Sequence, residues 1–152
     1  MSKPLAVIAF ALPCLLQAQP ALEDQLEVIS QKHLEVLVLA VVFNPRYHEG
    51  LQIPTRYSRM RLIEIPLRSR ADVTRIGGDD LAAHTVQVLL LLDDEGRVTT
   101  HGRTIKYMMR LAEDNNILVF TDAAQPKEPV HGMLVTKNGV VDLIYDRYKP
   151  AW

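Results

Sequence analysis

A chain of 152 residues, 48% hydrophobic and 23% charged, has the size and composition of one folded domain, which excludes a disordered or low-complexity chain. Seventeen basic against eighteen acidic side chains give a formal charge of −1, so bulk charge names no partner. The single cysteine, Cys14, excludes an internal disulfide and any cysteine-rich zinc site.

Lys3 and the apolar residues 5–16 have the outline of a secretory signal. Three features oppose that reading: a lone positive residue, Pro13 inside the apolar run, and no small residue at the −3 position of Leu16-Gln17-Ala18. A lipoprotein signal also wants a small residue before Cys14, where Pro13 stands. A cytoplasmic protein is expected, and no run reaches the ~18 apolar residues that a membrane span needs. Residues 5–12 (LAVIAFAL) form an unbroken apolar run of strand length. Pro20 opens PALEDQLEVISQKH, which has Glu23 and Asp24 early and Lys32 and His33 late, the polarity a helix dipole favours. Leu22, Leu26 and Ile29 give it one inward stripe. Residues 34–43 (LEVLVLAVVF) are a second apolar run, as expected of a strand covered on both faces. Together they predict a right-handed βαβ unit.

Residues 44–70 are loop-rich and basic, punctuated by Pro45, Pro54 and Pro66. Within them residues 60–65 fit either a strand or part of a helix. Residues 71–76 (ADVTRI) predict a short strand ended by Gly77-Gly78, and Asp79 then serves as N-cap of a helix through Leu92. The competing reading makes 86–92 a strand, with Asp94-Glu95-Gly96 turning the chain into 97–100. An amphipathic helix follows at 104–115, with Ile105, Met108, Met109 and Leu111 inward, and a buried strand at 117–121. Asn138-Gly139 between 133–136 and 140–145 predicts a tight hairpin, because both residues tolerate positive φ. The sequence thus predicts a single α/β domain over 1–152. Its sheet is mainly parallel and Rossmann-like, with helices on both faces and a C-terminal β-hairpin extension at 132–147.

No Walker loop, GxGxxG, HExxH or GxSxG occurs, and His33, His48, His84, His101 and His131 lack metal-ligand spacing. No metal and no cofactor is expected. Cys14, just past the first strand, is a candidate nucleophile if a cation lowers its pKa; as a buried small hydrophobe it is inert. Arg75-Ile76-Gly77-Gly78-Asp79-Asp80 brings two glycines to a helix start. Gly77, Gly78, Asp79 and Asp80 can therefore hold an anion or, through the aspartates, a cation; they equally suit a turn and cap. Asp93-Asp94-Glu95 reads as a solvated helix end. Arg56, Arg59, Arg61, Arg68, Arg70 and Arg75 stand against only Glu64 and Asp72, a local balance of +4. Guanidinium forks suit phosphate, so these six predict a surface for nucleic acid or an acidic protein.

The opening LAVIAFALPC, the helix LEDQLEVISQKH and the passage ADVTRIGGDDLAAHTVQVLLLLDDEGRV carry a resemblance over residues 4–112. They resemble the catalytic domain of resolvase/invertase-type serine recombinases. In that family the first strand ends in tyrosine-x-arginine-x-serine. Here Phe10 falls at the tyrosine, Leu12 at the first arginine and Cys14 at the nucleophilic serine. Residues 76–81 (IGGDDL) occupy the segment that should bring further arginines. Strand transfer needs those cations, so the resemblance implies a degenerate, non-catalytic member. Such a binding or assembly module acts on nucleic acid or a protein partner, alone or as a homo- or hetero-oligomer. The alternative is a small enzyme acting on a nucleotide or phosphorylated ligand at the edge formed by Cys14, Arg75 and Gly77 to Asp80.

Overall fold

Helix α1 (Leu22–Lys32) carries Glu23 and Asp24 in its first turn and Lys32 in its last, the polarity set out in its sequence. The computed structural model describes residues 19–145, so the expected strand at 5–12 and Cys14 lie outside the described residues. After α1, residues 34–37 turn the chain, leaving Leu34 68% and Leu37 53% exposed. Strand β1 (Val38–Phe43) then runs with every residue buried. Next come β2 (Arg56–Tyr57) and β3 (Met60–Pro66), which settles residues 60–65 as strand. Two short helices, α2 (Arg70–Val73) and α3 (Gly78–Ala83), lead to β4 (Val88–Leu91). Helix α4 (Gly102–Asn115), β5 (Leu118–Thr121), β6 (Gly132–Lys137) and β7 (Val140–Tyr145) complete the order.

Among the described residues these strands make one seven-stranded sheet in the order β2-β3-β1-β4-β5-β6-β7. The pairs β3/β1, β1/β4, β4/β5 and β5/β6 are parallel, while β2/β3 and β6/β7 are antiparallel. An α/β architecture with a mostly parallel sheet is therefore what the chain adopts. Asn138 (φ 53°) and Gly139 (φ 78°) turn β6 into β7. β6 runs directly alongside β5, and a Cβ at Gly132 would stand 2.8 Å from Phe120 Cδ1. Only glycine permits that approach.

The side chains of the central strands alternate between two cores, as period-two geometry demands. Ala40, Val42, Leu89, Leu91 and Val119 cluster with Ile105, Met108 and Ala112 of α4 and with Val73 and Leu81 of the short helices. Leu39, Val41, Val88, Leu90 and Phe120 cluster instead with Leu26 and Ile29 of α1 and with Leu134 and Leu143. Each fully buried Leu or Ile contributes about 1.5–3 kcal/mol, so β1, β4 and β5 are the mechanical centre.

Three expected elements differ, the first being the strand expected over 34–43, which begins only at Val38 because residues 34–37 turn the chain. Residues 71–76 are not a strand: the chain is helical from Arg70 to Val73 and then turns. The Asp72 carboxylate accepts from the amides of Arg68 (2.8 Å) and Ser69 (3.3 Å), so Ser69-Arg-Ala-Asp72 acts as a helix-start box. The helix assigned from Asp79 through Leu92 stops at Ala83, because Thr85 takes φ 54° and Val88–Leu91 joins the sheet between β1 and β5. Gly77, not Asp79, is its N-cap. The expected turn at 94–96 leads into no strand; residues 92–101 form a loop.

Candidate functional site

In parallel α/β sheets, ligands lie outside the carboxyl ends of the strands where neighbouring connections diverge. Here β1 connects towards β3 and β4 towards β5, so that point lies between β1 and β4. Asn44 and His48 follow β1, and the loop 92–101 follows β4. Asp94, expected at a solvated helix end, is 0% exposed. Its carboxylate accepts from the amides of Val98 (2.7 Å), Thr99 (3.0 Å) and Arg97 (3.1 Å), and from Asn44 Nδ2 (3.0 Å). Burial pushes this carboxyl up, but Asn44 and the amides of Thr99, Val98 and Thr100 outweigh it and hold it below the ordinary range. Asp94 is the hub that shapes the loop.

A second buried acid stands beside it. Asp122, just past β5 and 6% exposed, accepts from Gln25 Nε2 (2.9 Å) of α1 and from the Asp93 amide (2.7 Å). Burial raises its carboxyl to about 6; the Asp93 amide, Gln25 and nearby His48 pull down, while the Asp93 carboxylate adds to the rise. Gln25 Oε1 has no hydrogen-bond partner among the described residues. His48 Nε2 donates to the Asp93 carbonyl (3.0 Å), and its Nδ1 lies 3.3 Å from the Asn44 amide nitrogen and 3.1 Å from the Asn44 carbonyl oxygen. A cleft of about 520 Å³ opens above, lined by Asp93, Glu95, Thr100, Ala123, Pro126 and Lys127 among others. The hydrogen bonds of Asp94, Asp122, Gln25 and His48 thus join α1, β1, β4 and β5, with Gln25 Oε1 left over.

The six arginines of the basic segment divide between the two ends of β3. At the amino end, Arg59 donates through Nε to the Leu34 carbonyl (2.8 Å) and through Nη2 to the carbonyls of Ser30 and His33. These bonds close the C-terminus of α1. Arg56 and Arg61 oppose each other across β2 and β3, and Arg61 Nη2 donates to the His84 carbonyl (3.2 Å). Arg68 and Arg70 follow the far end of β3, about 20 Å away at strand rise. Arg75, its side chain 79% exposed, pairs with Asp72 at 3.3 Å. Gly77, Gly78, Asp79 and Asp80 sit at the start of the six-residue α3, remote from the carboxyl edge. A Cβ on Gly78 would lie 2.7 Å from Asn115 Nδ2, in the last turn of α4, so this glycine serves helix packing.

Folding adds cations that the sequence scatters. A groove of about 460 Å³ between α2 and α4 is lined by Arg70, Ala71, Val73, Thr74, Arg103 and Tyr107, with Thr104 at its base. An adjoining cleft of about 280 Å³ is lined by His101, Arg103, Lys106, Lys127 and Glu128. Arg70 Nη1 lies 3.5 Å from His101 Nε2, which ties the two clefts together. Glu128 stands 4.0 Å from Lys106 and answers one charge. The i,i+3 spacing of Arg103 and Lys106 on one helix was the available signal; their meeting with Arg70 and Lys127 is tertiary.

Among the described residues no group of three His, Cys, Asp or Glu is arranged to hold a metal ion. No described helix is long and apolar enough to cross a membrane. No protein-family model matches the sequence, and no curated protein matches it.

Proposed function

We propose that this chain is a non-catalytic binding module on a Rossmann-like scaffold, with helices over both sheet faces and its C-terminal hairpin as an extension of the sheet. In this reading the resemblance to serine recombinases is one of scaffold, with Phe10, Leu12 and Cys14 replacing the catalytic set. The observation that carries it is the gathering of Arg70, Arg103, Lys106 and Lys127 around two adjoining clefts in which Glu128 is the acid, with Asp93 and Glu95 beside Lys127 in the neighbouring cleft. Such a surface favours an anionic partner, and complementary charge steers its approach. The polar groups at the strand ends support the same reading, because Asp94, Asn44 and His48 are engaged in holding loops.

The test titrates a labelled single-stranded oligonucleotide and a labelled glutamate-rich peptide against the protein at low and physiological salt. A variant carrying Arg70→Ala, Arg103→Ala and Lys127→Ala is expected to lose at least about tenfold in affinity for the preferred probe. A variant with Arg56→Ala and Arg61→Ala is expected to change far less. Equal losses from both variants would remove the carboxyl-end assignment, and no binding of either probe would remove the module.

A second reading, a small enzyme acting on a nucleotide or phosphorylated ligand at the carboxyl edge, draws on Asp122. Its carboxyl, pushed up to about 6, suits proton transfer near neutrality. Phosphate release from a nucleotide panel that Asp122→Asn abolishes would select this reading.

A further inference from the structure

We propose that the groove between α2 and α4 is the anchor slot for an acidic segment of a partner protein, with one apolar side chain of that segment seated between Arg70 and Arg103. This rests on the module reading and names the class of its partner. Two features of the groove combine. Its lining is mostly apolar, made by Ala71, Val73 and the Tyr107 ring together with the threonines Thr74 and Thr104. The Tyr107 hydroxyl donates to the Ile76 carbonyl at 2.6 Å, which fixes the ring and leaves it as a rigid wall. At its mouth stand two exposed guanidinium groups, and the adjoining cleft supplies Lys106 and Lys127.

An apolar slot rimmed by cations is complementary to an apolar anchor flanked by carboxylates. Interfaces concentrate their energy in such desolvated pockets, with the charged rim fixing orientation and on-rate. A nucleic acid is the poorer match: its phosphates would satisfy the rim, but an aliphatic side chain suits the slot better than a flat base does. Asp72, the acid next to the groove on α2, does not oppose the partner strongly. Its carboxylate is engaged by the amides of Arg68 and Ser69 and by Arg75.

Three labelled probes test the proposal by anisotropy on the whole chain: a glutamate-rich peptide with one central leucine, the same peptide with alanine there, and a single-stranded oligothymidylate. The leucine peptide is expected to bind at least about tenfold tighter than the alanine peptide. Ala71→Phe, which fills the slot from an exposed position without removing a charge, is expected to erase that difference while the folded-state spectrum and thermal midpoint stay close to wild type. Should Ala71→Phe unfold the protein, Thr74→Trp fills the same groove and serves instead. Equal binding of the two peptides, weakened by Arg70→Ala with Arg103→Ala, would overturn the anchor slot and leave the module standing. Tighter binding of the oligonucleotide, untouched by filling the slot, would replace the protein partner by nucleic acid. Failure of all three probes would overturn both readings.

Discussion

The two ends of the sheet are closed by opposite chemistry. At the amino end a cation, Arg59, gathers the carbonyls of Ser30, His33 and Leu34, the acceptors that a helix C-terminus leaves unmatched. At the carboxyl end an anion, Asp94, gathers the amides of residues 97–99 and the amide group of Asn44. Each charge is satisfied by backbone dipoles rather than by an ion of opposite sign. The comparison teaches that a charged residue in a charged stretch can be a fastening, and that density along the chain does not measure a binding surface.

The sharpest way to break the comparison is to remove its buried member. Asp94→Ala strands several amide donors in the interior, and the loss is expected to be about 3–5 kcal/mol of unfolding free energy, read from urea titrations. A loss below ~1 kcal/mol would mean that the loop is not organised by this carboxylate.

Next in size comes pH. Asp94 is held below the ordinary range, so the stability it contributes is present above about pH 4 and is lost as pH falls through its folded value. Asp122 has the opposite sign. With its carboxyl raised to about 6, its contribution is full below about pH 4 and is lost as pH rises through 6. The loss is on the order of 3 kcal/mol. Unfolding curves between pH 4 and pH 7 are expected to show that decline in the wild type and a flatter profile in Asp122→Asn. Identical slopes in the two proteins would contradict the raised value.

The smallest effect compares arginine with arginine. Arg59→Ala is expected to cost about 2 kcal/mol, and Arg59→Lys to recover less than half, since one ammonium cannot span three carbonyls. Arg70→Ala, on the exposed rim, is expected to stay within ~0.5 kcal/mol of wild type in the same unfolding assay. Similar costs at both positions would erase the distinction between fastening and surface.

Those outcomes bear on what the sequence made legible. The helix at 20–33 and the amphipathic helix at 104–115 were readable because their polarity and period have no strand equivalent. Within the run at 34–43 the part from Val38 onward, and the run at 117–121, were readable because β-rich apolar runs suit strands buried on both sides; Leu34 and Leu37, apolar but exposed, were not. The same logic applied to VQVLLLL at 86–92, but Asp79 offered a plausible helix start upstream, and a local cap signal outweighed the apolar run. At 71–76 the glycine pair after Ile76 marked the end of a strand, while the helix-start box was split, with Asp72 inside that stretch and its partner Ser69 two residues before it. Of the candidate site, the arginines were visible as residues but not as two groups, because only the length of β3 separates them. Asp94 was hidden by its acidic neighbours, although Gly96 and the two threonines after it are the composition of a loop folded around an aspartate.

The place of β1 in the sheet order has a consequence for how the chain emerges during synthesis. β1 pairs with β3 on one side and with β4 on the other, and both arrive after it. The stretch from Val36 to Phe43, uncharged and rich in β-branched side chains, therefore leaves the ribosome with both ladders open. At ordinary elongation rates its second partner follows by roughly fifty residues, several seconds later. Uncharged strands of this kind are what chaperones intercept and what nucleates intermolecular pairing. During that interval these eight residues stay unpaired along one edge, whatever the stability of the finished fold.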